Sequence, residues 1–119
     1  MTEIGLKHYA YIGDAVWELW VREHTISETQ NAKELHTITT EKVNMDFQAE
    51  LLHFLEPVLN EEEIDLARRA RNLSIPVGRR SNQSEYRQAT AFEALIGWWH
   101  QNNKERLTEI LNLLEEKCF

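Results

Sequence analysis

The sequence has little of the residue types that cross-link a chain or interrupt regular structure. Its 119 residues include one cysteine, two prolines and four glycines. The single cysteine, Cys118, cannot form an internal disulfide and has no Cys or His partner at zinc spacing, so we expect a reducing, cytoplasmic setting. No apolar run approaches the ~20 residues of a membrane span, and no leader-like start is present, so we expect no membrane association.

The sequence also lacks the short motifs of several enzyme classes. It has neither a Walker loop nor a dinucleotide-binding fingerprint. The histidines show no metal-ligand spacing, and none accompanies a nucleophile motif, which argues against a zinc or a Ser/Cys hydrolase. The five histidines are His8, His24, His36, His53 and His100.

The sequence also lacks the alternation of apolar and polar residues that is typical of strands. Apolar residues instead recur at the three- and four-residue steps of a helix along most of the chain. The length fits one domain, residues 1–119, and 42% hydrophobic residues are enough for one core. The pattern predicts helices over about residues 5–24, 32–55, 60–72, 85–101 and 103–117, with a loop at 73–83. The β-branched cluster at 37–40 is weak helix material and is a candidate break in the second helix. We predict an all-α fold.

Charge is distributed unevenly along the chain. The net charge is −7, but residues 68–87 carry six of the thirteen bases and one acid, a local charge of +5. This pattern indicates one anion-binding site on a surface that otherwise repels anions. Arginine suits such a site because its guanidinium group matches the geometry of phosphate oxygens. Pairing of individual arginines with the acidic body is the alternative. The predicted phosphate-binding residues are Arg68, Arg69, Arg71, Asn72, Arg79, Arg80 and Arg87.

Asp14 is an unusual residue for its position. It lies in the middle of the first predicted helix among apolar and aromatic neighbours, where a charge must be paired or bound to metal. Glu18 lies one turn later on the same face, so two carboxylates can converge. Gly13 is also costly in a helix, which often marks close packing or a function. An ion pair with an arginine of another helix is the competing interpretation.

Glu93 poses the same question in the most apolar stretch of the chain. Ala89, Ala91, Ala94 and Gly97 surround it and would let another helix approach closely. Two carboxylates on two packed apolar helices make a site for a hard cation such as Mg²⁺, which prefers one or two protein carboxylates with waters and phosphate oxygens. A core salt bridge remains the alternative.

Three strings, taken together, resemble the ribonuclease III family. AYIGDAVWE at residues 10–18 is similar to the family's signature, while ARRARN at 67–72 and YRQATAFEALIG at 86–97 are similar to its short bacterial branch, Mini-ribonuclease III. The resemblance extends from about residue 6 to residue 116, with motif order and spacing preserved. One string alone would be weak, but three in order are specific.

The resemblance implies an all-α endonuclease domain that forms a homodimeric helical bundle and hydrolyses double-stranded RNA. It implies Mg²⁺ as cofactor, with Mn²⁺ as a substitute, and products with 5′-phosphate and 3′-hydroxyl ends. The branch is associated with maturation of the 23S ribosomal RNA precursor and lacks the separate RNA-binding domain of longer relatives. A large-subunit ribosomal protein that shapes the substrate is a further implied partner.

Carried over residue by residue, the resemblance makes Asp14 and Glu93 the catalytic, metal-binding carboxylates and Glu18 a supporting acid. Ala10 and Thr90 stand where full-length ribonuclease III has two further acids, which leaves a second metal in doubt. Asp46 stands where the short branch more usually has lysine. Asp46 is either an outer carboxylate of the metal site or, as we favour, a substitution on the surface.

Two other classes of function remain open. Because Ala10 and Thr90 remove carboxylates, the chain could be a non-catalytic RNA-binding or ribosome-assembly module on the same fold. An all-helical adaptor between proteins is the other, and it predicts no salt-dependent affinity for RNA.

Overall fold

The computed structural model describes residues 3–73 and 83–119. Within these ranges the chain forms six α-helices and one 3-10 turn and has no strand, which confirms the all-α prediction. The helices are α1 (Glu3–Thr25), α2 (Ala32–Val43), α3 (Met45–Leu55), α4 (Glu61–Arg71), α5 (Gln83–Asn102) and α6 (Lys104–Cys118), and the 3-10 turn is Glu56–Val58. Among these described helices, none is both long and apolar enough to cross a bilayer.

The second predicted helix is divided in two, but not at the threonine cluster. The break falls at Asn44, whose side-chain oxygen accepts from the Phe47 N–H at the start of α3. Its amide nitrogen donates back to the Thr40 carbonyl at the end of α2. A single asparagine thus caps both helices, and this local hydrogen bonding outweighs the low helix propensity of the residues at 37–40.

Helices α1 and α5 form the most extensive contact of the molecule and cross at two glycines. A Cβ atom added to Gly13 would lie 1.7 Å from the Glu93 carbonyl oxygen, and one added to Gly97 would lie 1.8 Å from the Tyr9 carbonyl oxygen. Only residues without a side chain allow the backbones to approach this closely. The crossing explains both glycines, and it brings Asp14 on α1 beside Glu93 on α5.

The tryptophans build the interior rather than the surface. Trp17 and Trp99 are fully buried, while Trp20 and Trp98 are partly buried and pack against the same core. Trp17 meets Phe92 edge to face, with ring centroids 5.0 Å apart, and donates its indole N–H to the Lys42 carbonyl. The indoles therefore fix α1 against α2 and α5.

A buried carboxylate ties α4 to α5 and α6. Glu63, which is 2% exposed, accepts from the Trp99 indole at 2.8 Å and from Arg106 at 2.9 Å, and it forms a capping box with Asn60. Burial raises the pKa of Glu63, but the hydrogen bonds from Arg106, Asn60 and Trp99 outweigh it, so the net pKa is lowered.

Replacing Glu63 with glutamine is expected to lower the free energy of unfolding by about 3 kcal/mol, because Arg106 would lose its buried partner. A depressed pKa stabilises the fold above the ordinary carboxyl range, and that contribution disappears as pH falls through the folded-state value. Urea titrations at pH 7 and pH 3 check this. The difference between wild type and Glu63→Gln should shrink at pH 3; an equal difference at both pH values would contradict the ion-pair explanation.

Candidate active site

One pocket collects residues from α1, α4 and α5 and contains both predicted catalytic carboxylates. Its volume is about 380 Å³, and it is open to solvent on one side. Its lining combines two carboxylates, three basic side chains and two tyrosines. The lining residues are Lys7, Ala10, Tyr11, Asp14, Ala70, Arg71, Leu73, Tyr86, Arg87, Thr90 and Glu93.

Asp14 enters the pocket from α1, but it is not embedded in the core. The residue is exposed, in contrast to the expectation drawn from its apolar neighbours in sequence. Gly13 and Trp17 are buried, whereas Tyr11, Asp14 and Ala15 are exposed, so Asp14 lies at the edge of the buried face of the helix. The ion pairs between arginines and carboxylates of the described residues do not include Asp14. The pairing of Asp14 with an arginine, considered above, is therefore not observed among these residues.

Glu93 approaches the same point from α5 and is half-buried. Its carboxyl group lies within hydrogen-bonding reach of Asp14 and also of the buried amide of Gln48. Burial raises the pKa of Glu93 to about 8, the hydrogen bond and the charge of Asp14 act in the same direction, and Gln48 opposes them. Two carboxylates this close repel each other when both are ionised.

This pair fits a divalent cation. The donors are hard oxygens, their mutual repulsion would be relieved by a positive ion, and the pocket leaves room for waters and a phosphate group. Within residues 3–73 and 83–119, no group of three or more His, Cys, Asp or Glu side chains is arranged to hold a metal. The described protein therefore offers two carboxylates, and any remaining ligands would come from water or substrate.

The two other acids singled out in the sequence lie elsewhere. Glu18 forms an ion pair with Arg22, at 3.0 Å, and does not line the pocket. Its metal-binding role stays a prediction that this conformation does not support. Asp46 is exposed in the first turn of α3, beside Glu41 and Glu50 on a separate surface. That position agrees with a surface substitution.

The predicted phosphate-binding arginines divide into three groups. Arg68 and Arg69 pair with Asp65 at 2.6 and 3.0 Å, as the alternative interpretation held. Arg71 and Arg87 line the pocket, and the Arg87 guanidinium donates to the Arg71 carbonyl, which fixes α4 against α5. Asn72 is exposed and caps the end of α4. Arg79 and Arg80 lie outside the described residues.

Sequence reasoning missed three side chains at the site. Lys7 lines the pocket one turn before Tyr11 and two turns before Asp14, and Tyr86 lies two turns before Glu93. Helical spacing from the two carboxylates would have found both. Gln48 lies within the apolar stripe of α3, so a polar residue at an apolar position was the available signal.

The chain is similar to known proteins in both sequence and structure. Residues 7–104 match the ribonuclease III domain family. The chain is 42% identical over 116 residues to Mini-ribonuclease 3 of Gloeobacter violaceus, which covers 98% of this chain and 86% of that one. It is also 42% identical over 98 residues to Mini-ribonuclease 3 of Desulfitobacterium hafniense, covering 82% and 62% of the two chains. A crystal structure of a Fusobacterium nucleatum protein superposes with a TM-score of 0.80, at 31% identity over 92% of this chain and 90% of that chain.

The fold and these similarities therefore define a helical endoribonuclease domain, and the chain belongs to the ribonuclease III family. Within that family its similarity is to the proteins named Mini-ribonuclease 3, which confirms the resemblance drawn from the three sequence strings. The family acts on double-stranded RNA, forms dimers and depends on divalent metal.

Proposed function

We propose that this chain is an Mg²⁺-dependent endonuclease for double-stranded RNA in which Asp14 and Glu93 are the catalytic, metal-binding carboxylates. The observation that carries the proposal is the meeting of these two carboxyl groups in one open pocket of a ribonuclease III domain. Mn²⁺, with the same preference for oxygen ligands, is expected to substitute. The products are expected to carry 5′-phosphate and 3′-hydroxyl ends.

The proposed site has metal-binding carboxylates and phosphate-binding arginines. When bound, the divalent cation supplies charge stabilisation at the scissile phosphate and acidifies water at the site. Asp14 and Glu93 would hold the cation where α1 and α5 cross, and the close glycine contact would fix the spacing of the two carboxylates. Arg71 and Arg87, which line the pocket from α4 and α5, are suited to bind the phosphates that flank the cleaved bond.

Recognition is expected to depend on RNA shape rather than on base sequence. The major groove of A-form RNA is too narrow for side chains, so contacts go to phosphates and 2′-hydroxyls. An acidic chain with Lys7, Arg71 and Arg87 at one pocket suits this mode, because an RNA backbone seated there meets positive charge.

We further propose a homodimer in which α1 faces the partner. Three large apolar side chains on or beside this helix are exposed, Tyr11 at 80%, Leu19 at 59% and Ile26 at 68%. Symmetric pairing through one surface would cover them in both copies. Light scattering on a size-exclusion column tests the state: a mass of two chains supports the proposal, and a monomer at micromolar concentration contradicts it.

The enzymatic proposal is tested by incubating the purified chain with duplex RNA. We expect cleavage with Mg²⁺ and none with EDTA, and the new ends should be a substrate for a ligase that requires 5′-phosphate. Binding of duplex RNA without cleavage would favour the non-catalytic assembly module instead. The absence of both would favour the protein adaptor.

The cellular substrate is proposed to be the 23S ribosomal RNA precursor in the cytoplasm, shaped by a large-subunit ribosomal protein. Mapping the ends of 23S RNA in cells that lack this protein tests the proposal. Unprocessed ends are expected; mature ends would direct the search to another structured RNA.

Replacing Arg71 or Arg87 with alanine is expected to weaken duplex binding and to reduce the slope of log affinity against log salt by about 1 for each phosphate that is no longer neutralised. Arg68→Ala is the matched control, because Arg68 is held by Asp65 outside the pocket. Fluorescence anisotropy in EDTA measures binding without cleavage. An unchanged slope in both pocket variants would exclude the two arginines as phosphate ligands.

A further inference from the structure

Gln48 is a buried polar side chain that cleavage chemistry alone does not explain. It lies in the first turns of α3 and is 2% exposed, on the helix that packs against α5. The same face of α3 buries Leu51, Leu52 and Leu55. Burying an amide among leucines costs free energy unless its hydrogen bonds are satisfied, so its partners indicate its role.

The Gln48 amide donates to a backbone carbonyl and shares a small cavity with Glu93. Its Nε2 donates to the Val43 carbonyl at 3.2 Å, at the end of α2, where the last carbonyls of a helix lack internal partners. The amide also lies close enough to the Glu93 carboxylate to act against the rise in the pKa of Glu93. Because a primary amide nitrogen carries two protons, one group can serve both acceptors, and the carbonyl of Val43 fixes which end of the amide faces them.

Glu93 lines two cavities, and a different polar residue lines each of them with it. Asp14 lines the larger pocket, which also contains Arg71 and Arg87. Gln48 lines a second, smaller cavity, together with Val43, Met45, Ala89 and Thr90. An amide donor beside the Glu93 carboxylate favours rotations about its last bond that turn one oxygen toward that donor.

We propose that Gln48 is a positioning residue, which holds the Glu93 carboxylate in the orientation that binds the divalent cation. The inference rests on the proposed function of Glu93 and extends it to a residue on a different helix. Ligands of metals are commonly oriented by such hydrogen-bonding partners, whose loss weakens metal affinity about 10- to 100-fold.

The experiment measures Mn²⁺ binding to the full chain without RNA, by the loss of the free-ion signal in electron paramagnetic resonance. Gln48→Met keeps the length of the side chain and removes both donors, and we expect affinity about 10- to 100-fold weaker than that of wild type. The control Thr39→Val removes a different buried hydrogen bond, to Thr25 at 3.0 Å, and should leave Mn²⁺ affinity unchanged.

Circular dichroism verifies that each variant is folded. If Gln48→Met is not, Gln48→Asn replaces it, since its amide is one methylene too short to reach both acceptors, and the same weakening is expected. Wild-type affinity in the folded Gln48 variant would overturn the inference, as would equal weakening in Thr39→Val.

Glu93→Gln separates this inference from the proposed function. If Glu93→Gln weakens Mn²⁺ binding and Gln48→Met does not, the metal site stands and the positioning role fails. If Glu93→Gln binds Mn²⁺ like wild type, the proposed site fails and the inference fails with it. Activity gives a second readout: Gln48→Met should raise the Mg²⁺ concentration for half-maximal cleavage and leave the KM for RNA unchanged at saturating Mg²⁺.

Discussion

Replacing Glu93 with glutamine is expected to reduce cleavage of duplex RNA by at least about 10³-fold, which corresponds to about 4 kcal/mol of transition-state stabilisation. The neutral amide keeps the shape of the side chain and removes one of the two charges that hold the cation. Single-turnover cleavage at saturating Mg²⁺ measures the loss. Glu116→Gln, at an exposed position on α6, is the matched control and should cleave like wild type.

The same substitution should stabilise the metal-free protein. Burial and Asp14 raise the pKa of Glu93 to about 8, so the wild-type fold loses stability as pH rises from the ordinary carboxyl range toward 8. Glutamine carries no charge and avoids this loss. Thermal unfolding in EDTA at pH 8 should give a higher Tm for Glu93→Gln than for wild type; a lower Tm would contradict the repulsion between the two carboxylates.

Replacing Gly13 with alanine is expected to have the largest effect on stability, above about 3 kcal/mol. The added Cβ would meet the Glu93 carbonyl at 1.7 Å, and backbone cannot rotate away as a flexible side chain does. The helix pair must separate, which also moves Asp14 from Glu93. Urea unfolding measures the change, and cleavage should be lost with it.

Asn112→Gln is the control for this substitution. Asn112 lies on α6 and is exposed, away from the proposed interface on α1, so the added methylene should change the free energy of unfolding by less than about 0.5 kcal/mol. Equal stability of Gly13→Ala and wild type would mean that α1 and α5 do not cross at these glycines.

Much of the fold followed from local chemistry that a sequence displays. The capping box of Asn60 and Glu63 marks the start of α4, and the structure contains it. Gly13 and Gly97 indicated a close helix crossing because each is costly where it stands. The break at Asn44 was harder to foresee, since asparagine within a helical pattern is common and only its two capping bonds distinguish it.

The site was less completely predictable, because exposure depends on how helices pack. Asp14 was expected near the core from its sequence neighbours, but a helix turns each successive residue by about 100°, so apolar neighbours need not share its environment. Arg68 and Arg71 lie three residues apart, yet one pairs with Asp65 and the other lines the pocket. Gln48 lies 45 residues before Glu93 in the sequence, and no local pattern joins them.

Asp14 and Glu93 should act as one unit on a shared cation, and a double-mutant cycle measures this coupling. Single-turnover cleavage is followed for wild type, Asp14→Asn, Glu93→Gln and the double variant at saturating Mg²⁺. Residues that act together are strongly non-additive, so the double variant should cleave within about tenfold of either single variant. Losses that multiply, toward about 10⁶-fold, or a single variant that cleaves like wild type, would contradict a shared site.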